Sequence, residues 1–517
     1  MSRRAGQRVC TADEAVAEIP SDVTLATGGF VGAAHPEALT AALERRFLET
    51  GGPRNLTLLF GAGQGDGKQR GLNHLAHAGL LKRVIAGHLG LAPKIGRMAL
   101  DGTIEACNLP QGVLCQLLRD IAAGRPGLVT HVGLDTFVDP RHGGGRLNER
   151  TPPGFVERIE LRGREWLFYP TFPIHVGLIR ATAADPFGNL VMDEEALLGE
   201  GLPIAQAVRN SRGLLIAQVK RLLDKPVRPV HVRVPGVLVD RIVVAEPEHH
   251  QLTFAEADNP AYYSAIGDAA PDASRKTTLL RRIIGSRACD ELTPGTLVNL
   301  GIGMPEAIAE IAGERQLLET VTLTLESGPI GGRPAGGLSF GASAYPQAII
   351  DQPAMFDLYD GGGLDFAALG AAQVDAQGNV NVSKFHDRLA GSGGFINISQ
   401  STRRLVFCGS LTSCGLEVSV AGGRLQIDRE GSERKFVEQV EQVTFSGRRA
   451  RESGCDVLYV TERAVFRLNS DGLELIEVAP GIDVQRDVLP QLGFAPKVGA
   501  VREWPPRVLA DALAFRD

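Results

Sequence analysis

Short apolar runs alternate along the chain with longer stretches in which apolar residues recur every three or four positions. Leu56-Thr57-Leu58-Leu59-Phe60 predicts a strand that ends in a glycine loop. Ile242-Val243-Val244-Ala245 and Val457-Leu458-Tyr459-Val460 read as buried strands. Pro36 to Phe47 has helical spacing, with Leu39, Leu43 and Phe47 on one face. Strands of this length alternating with helices predict an α/β fold with a largely parallel sheet.

The pattern breaks between residues 255 and 276, where a polar, Pro-containing segment lacks periodicity. The expected division is an N-terminal domain over 1–260, a linker over 261–274 and a C-terminal domain over 275–517. The halves echo one another. Thr24-Leu25-Ala26-Thr27-Gly28-Gly29-Phe30 leads to Pro36-Glu37-Ala38-Leu39. Thr296-Leu297-Val298-Asn299-Leu300-Gly301-Ile302-Gly303-Met304 leads to Pro305-Glu306-Ala307-Ile308. Each is an apolar strand, a glycine turn, then Pro-Glu-Ala opening a helix, where Pro suits the first turn. A second echo sets Asp185-Pro186-Phe187-Gly188-Asn189-Leu190 against Asp375-Ala376-Gln377-Gly378-Asn379-Val380. Two echoes in the same order predict two related α/β domains.

Composition narrows the functional classes. Lys plus Arg is 54 against 60 Asp plus Glu, a net charge of −6, so there is no basic footprint for nucleic acid and no polybasic anchor for a membrane. No apolar run approaches the ~18 residues of a spanning helix. Seven cysteines, an odd number without a Cys-x-x-Cys pair, argue against a disulfide framework or a structural zinc site. A cytoplasmic location is expected. The 62 glycines exceed the usual ~7% without showing a repeat period, and point to tight turns and backbone-lined ligand loops.

Several motifs are set aside. Phe60 to Gln69 invites a phosphate-loop reading, but Ala62 stands at the first required glycine and Gln69 replaces the Mg²⁺-binding Ser/Thr. It reads as a ligand-facing loop or a plain turn. His74, His77, His88 and the doublet His249-His250 lack carboxylate partners at metal-site spacing, and read as surface or satisfied histidines. No metal is expected.

The segment Thr320 to Gly332 differs. Val321, Leu323 and Leu325 alternate with Thr322 and Thr324, and Glu326 ends the strand just before a glycine turn. Ligands of open α/β sheets bind at the carboxyl ends of strands. Between Glu326 and Asp351 the one charge is Arg333, so Glu326 is a candidate nucleophile or base, against a turn glutamate at a domain edge. Asp360-Gly361-Gly362-Gly363-Leu364-Asp365 is a second glycine knot whose N–H groups could face a ligand.

Gly28-Gly29-Phe30…Pro36, Leu109-Pro110-Gln111-Gly112, Asn299 to Pro305, Glu326-Ser327-Gly328 and Gly361 to Asp365 together resemble the family I CoA-transferases. The order matches along nearly the whole chain, with two subunit-like halves fused. Ser-Gly after Glu326 resembles the acetate/propionate branch. The resemblance implies two open α/β domains with mostly parallel sheets, similar to the sugar-phosphate isomerase class. It implies ping-pong transfer of CoA between a short-chain acyl-CoA and a free carboxylic acid, through a glutamyl-CoA thioester on Glu326. Gly301, Ile302, Gly303, Gly361, Gly362 and Gly363 are the candidate oxyanion donors and CoA contacts, with Gly378 and Lys384 for the remote part of CoA. Coenzyme A is then a substrate and no cofactor is permanently bound. A homo-oligomer, dimer or tetramer, is expected. Ser339 to Tyr345 and the loop Gly61–Gly71 are candidate pocket walls. An acyl-CoA hydrolase on the same scaffold is the alternative.

Overall fold

The computed structural model describes residues 8–267, 277–385 and 387–514. Part of the expected linker, 268–274, lies outside the described residues. The chain forms two compact units. One is drawn from residues 1–267, 325–357 and 386–397, the other from 268–324, 358–385 and 398–517. Two stretches of the C-terminal half therefore belong to the first unit, and Glu326 is in one of them.

In the first unit, β1 (Thr24–Thr27), β2 (Leu56–Phe60), β3 (Leu81–Ala86), β4 (Glu105–Asn108), β5 (Val176–Ala184), β7 (Leu214–Leu222) and β8 (Arg241–Val244) form one sheet. Its order is β8-β7-β5-β1-β2-β3-β4. Every pair along this path is parallel. The short β6 (Leu190–Val191) folds back antiparallel on β5. Successive residues of one strand enter different cores: Leu25, Leu58, Val84 and Leu178 pack on one face, Ala26, Leu59, Ile85 and Ile179 on the other. A sheet covered on both faces needs continuous apolar runs rather than alternation, and these strands have them. Helix α1 (Glu37–Thr50) buries Leu39 and Leu43, with Phe47 partly buried against the same core. Helix α2 (Gln111–Ala123) is buried over nearly its whole length, and α3 (Gly201–Asn210) packs against it.

The second unit repeats the plan. Its strands are β9 (Leu297–Leu300), β10 (Thr322–Thr324), β11 (Phe366–Gly370), β14 (Arg404–Cys408) and β15 (Asp456–Val460). They lie in the order β15-β14-β11-β9-β10, all parallel. Three further strands, Ala464–Asn469, Gly472–Val478 and Lys497–Glu503, extend the β15 edge; the first is antiparallel to β15, the second antiparallel to the first, and the third parallel to the second. Helix α4 (Glu306–Glu314) follows β9. Position by position, β1-β2-β5-β7-β8 of one unit match β9-β10-β11-β14-β15 of the other.

Both sequence echoes are real structural repeats. Gly28 N–H donates to Leu178 O at 3.3 Å and Gly301 N–H to Ala368 O at 2.8 Å, each across to the next parallel strand. In the second echo β12 (Gln373–Val374) pairs antiparallel with β13 (Val380–Asn381), as β5 does with β6. Asp185 Oδ1 accepts from Asn189 N at 3.0 Å and Asp375 Oδ1 from Asn379 N at 3.0 Å. The Asn189 side chain then receives Gly236 N–H at 2.8 Å, and that of Asn379 receives Gly447 N–H at 3.0 Å.

Candidate active site

Glu326 stands two residues beyond β10, at the carboxyl end of a parallel strand. Its turn is held on both sides: Leu325 N–H donates to Pro329 O and Gly328 N–H to Leu325 O, both at 3.0 Å. Ser327 Oγ donates to Gly341 O at 2.6 Å. Gly328 has φ +127°, and a Cβ there would lie 2.1 Å from Ile350 O, so the turn after Glu326 requires glycine. Glu326 itself is half-buried, while Leu325 and Ser327 beside it are buried. Leu325 packs with Phe30, Val31, Ala62, Leu197, Phe340 and Ala342. The expected pocket walls, 61–71 and 339–345, thus share one apolar cluster with the turn that carries the carboxylate.

Parallel register gives the correspondence between the two halves. Leu25 faces Leu58 and Val298 faces Leu323, so Phe60 corresponds to Leu325 and Gly61 to Glu326. Around Gly61 the first unit gathers buried polar groups. A Cβ on Gly61 would lie 3.0 Å from Glu200 Oε1 and 3.1 Å from Cys115 Sγ. The Cys115 thiol donates to Glu200 Oε1 at 3.4 Å. Burial pushes the Glu200 carboxyl up to about 7, and the Cys115 thiol and Gly29 amide offset only part of that. Gln111, the first residue of α2, donates its backbone N–H to Gly393 O at 2.9 Å. Ser392 N–H donates to Asn108 Oδ1 at 2.9 Å, so the glycine-rich 391–394 stretch lies against the start of α2.

The glycine candidates separate. Gly301, Ile302 and Gly303 sit at the carboxyl end of β9, before α4. Gly301 N–H is spent on Ala368 O, whereas Ile302 is exposed and the space beside Gly303, with φ +91°, is open. Gly361, Gly362 and Gly363 correct the sequence expectation. They end helix α5 (Gln352–Asp360), where Gly362 N–H returns to Tyr359 O and Gly363 N–H to Leu358 O, both at 2.9 Å. They precede β11, and Asp365 pairs with Leu297 at the start of β9, so this knot lies at the opposite end of the sheet from Gly301–Gly303. It is a helix C-cap, not a ligand cradle. Gly378 is likewise buried: its carbonyl accepts from Tyr459 OH at 2.5 Å, and a Cβ would lie 2.5 Å from Leu468 Cδ1. It shapes the β12–β13 turn. Lys384 is half-buried, its backbone N–H and C=O both bonded to the Asn381 side chain.

The histidines find partners the sequence spacing did not show. His74 contacts both Glu37 and Glu44 of α1, and His77 Nε2 lies 2.7 Å from Glu44 Oε1. His88 is half-buried, and its loss of solvation pulls its pKa down to about 4. Among the described residues no group of three or more His, Cys, Asp or Glu is arranged to hold a metal ion, and no helix is long and apolar enough to cross a membrane.

Residues 9–245 match the family described as Coenzyme A transferase. The chain is 44% identical to the caffeate CoA-transferase of Acetobacterium woodii over 497 residues, 95% of each chain. It is 41% identical to the acetate CoA-transferase YdiF of Escherichia coli (strain K12) over 495 residues, 95% of this chain and 92% of that one. The chain belongs to the coenzyme A transferase family. The crystal structure of apo acyl-CoA transferase YdiF from Escherichia coli O157:H7 superposes with a TM-score of 0.93 at 39% identity, over 99% of both chains. A thioester complex of that protein with CoA matches equally well. As a CoA-transferase, the enzyme transfers CoA between an acyl-CoA and a carboxylic acid. The fused two-half architecture follows from the near-complete coverage of these single-chain relatives.

Proposed function

We propose that the enzyme moves CoA between a short-chain acyl-CoA and a free carboxylic acid through a thioester on Glu326, in a ping-pong sequence. The observation that carries this reading is the place of Glu326: half-buried, immediately beyond a parallel strand, on a turn whose backbone is fixed on both sides. The carboxylate attacks the thioester carbonyl carbon. The tetrahedral intermediate expels CoA thiolate and leaves an acyl–glutamyl anhydride. The thiolate attacks the Glu326 carbonyl carbon, the first acid departs as its carboxylate, and glutamyl-CoA remains. A second acid repeats these steps in reverse. No water takes part, so the energy of the acyl bond is retained. Each intermediate carries an oxyanion, and one preorganised N–H donor is worth ~3–4 kcal/mol. Of the donors named from the sequence, Ile302 and Gly303 keep N–H groups without a backbone acceptor among the described residues.

The reading extends to a cytoplasmic homo-oligomer, dimer or tetramer, whose chain has two α/β domains joined across 261–274. By name the relatives act on acetate and on caffeate, so an acceptor panel should run from acetate through butyrate to an aromatic acid.

The test is to trap the intermediate. Incubation with acyl-CoA and no acceptor should leave CoA attached to Glu326. Borohydride should then reduce that thioester and inactivate the enzyme, while borohydride alone should not. Peptide mapping that finds the adduct on another carboxylate overturns the reading. Thiol release that needs no acid acceptor would identify a hydrolase instead.

A further inference from the structure

Two buried side chains beside Gly61 and a third beside Gly199 keep polar atoms with no hydrogen-bond partner among the described residues: Gln111 Nε2 and Glu200 Oε2, and both side-chain polar atoms of Gln352. Their exposures are 2%, 2% and 0%. A buried polar atom left unpaired costs ~1–3 kcal/mol, so such a concentration needs a reason. The groups come together by the fold. Glu200 Oε1 and Gln111 Cγ lie 3.0 and 3.8 Å from where a Cβ on Gly61 would stand. Gln352 N–H donates to Gly199 O at 3.1 Å, which brings the start of α5 beside Glu200. All belong to the unit that contains Glu326. Ala62, the residue after Gly61, shares an apolar cluster with Leu325, the residue before Glu326.

We propose that Glu200, with the side-chain amides of Gln111 and Gln352, forms the subsite that receives the carboxylate of the acid substrate, and that the buried apolar cluster of Phe30, Val31 and Leu197 packs against its short apolar chain. This rests on the reading above and names its substrate class: small monocarboxylic acids. A carboxylate needs donors on both oxygens. The two amides supply N–H groups, and Glu200 supplies an O–H when protonated. Burial holds that carboxyl at about 7, so it donates below neutrality and repels the substrate above it. The titratable groups that act on it are Cys115 of α2 and Asp351, just before α5, while Arg119 of α2 acts on Cys115. The Cys115 thiol is pushed well above its ordinary range and stays neutral across this window.

The experiment measures KM for acetate and for acetyl-CoA between pH 6 and 8.5 in the unmodified enzyme, Glu200→Gln and Gln352→Leu. In the unmodified enzyme, KM for acetate should rise roughly tenfold per pH unit above about 7, as one ionisation switches binding off. Glu200→Gln, a permanent donor, should flatten that rise. Gln352→Leu should raise KM for acetate at least about tenfold, the loss of one hydrogen bond to a charged group. The Glu326–CoA adduct should still form at saturating acetyl-CoA. A flat acetate profile in the unmodified enzyme overturns the proposal even if a variant fails to fold. So does an unchanged acetate KM in both variants, which would mean that the unpaired atoms bind only water. Absence of the adduct in the unmodified enzyme would instead overturn the reading under Proposed function.

Discussion

In the first half of the chain the backbone leaves its second strand through Gly61-Ala62-Gly63; at the same register position in the second half it leaves through Glu326-Ser327-Gly328. The strands, their order and the neighbouring Asp-x-x-Gly-Asn turns repeat almost bond for bond. The corner itself does not. At Gly61 the space a side chain would need is taken by Glu200 and Cys115. At 326 a long carboxylate side chain is accommodated half-buried. A repeated scaffold therefore does not repeat its chemistry: the hydrogen-bonded turns have to recur for the fold to recur, whereas the strand-end position can be filled differently in each copy. A second contrast has the same form. Register matches Val219, fully buried, with Gly409, and the space beside Gly409 is taken by Lys435 Nζ.

The largest expected effect breaks the comparison at its active member. Glu326→Ala should lose transfer by at least about 10⁴-fold, as removal of a covalent nucleophile does, while its melting temperature stays near that of the parent. Glu326→Asp retracts the carboxylate by one methylene and should cost ~10²-fold in kcat. Full activity in a folded Glu326→Ala would remove the distinction between the two corners. Next come the paired turns. A Cβ at Gly236 would lie 2.3 Å from Phe187 O and one at Gly447 would lie 2.1 Å from Gln377 O. Alanine at either should destabilise its unit by about 2–4 kcal/mol, by overpacking against backbone. Urea unfolding that shows a large loss at one and none at the other would mean that the repeat is geometric but not energetic.

The smallest effect concerns Lys435. Its amine faces a small cavity, lined by Phe407, Phe436, Tyr459 and Thr461, at the carboxyl ends of β14 and β15. Burial pulls its pKa down to about 8, partly offset by Glu462. An unfolded lysine titrates near 10.4, so between about 8 and 10 the unfolded chain binds the extra proton and stability rises with pH. Lys435→Met should flatten that rise and raise stability at pH 7 by ~1 kcal/mol, since it removes a buried charge. A stability profile with the same slope in both proteins would show that the lysine finds compensation the Val219 corner does not need.

Legibility in the sequence differed from one feature to the next. Leu56–Phe60 and Leu323–Leu325 announced themselves as strands, and Glu326 as a strand-end carboxylate, because local apolar pattern and a following glycine are sequence-neighbour properties. The run Gly361–Gly363 misled, because a glycine cluster that caps a helix looks the same in sequence as one that cradles a ligand. Which end of the parallel sheet it occupies depends on whether it precedes or follows a strand, and here it precedes one. The surroundings of Gly378 are not legible for a related reason: its burial under Tyr459 comes from a residue about eighty positions away. Glu200 carries part of the signal of the Glu326 segment, a carboxylate between two glycines in Leu197-Leu198-Gly199-Glu200-Gly201, but Asp193-Glu194-Glu195 close before it mask that signal in the sequence.

The sequence by itself determined the strand and helix pattern, the doubling of the α/β plan and the carboxylate at the second strand's end, since each rests on residues within a few positions of one another. Tertiary structure alone decided which glycine N–H groups remain available, because that depends on acceptors such as Ala368 O supplied by a neighbouring strand. It alone gathered Gln111 and Glu200 around Gly61 and brought Gln352 to Gly199, residues more than a hundred positions apart in the chain at the widest. It also placed 325–357 in the first unit. Parallel sheets pair strands that are distant in sequence, so the loops at their carboxyl ends meet only when the sheet is assembled.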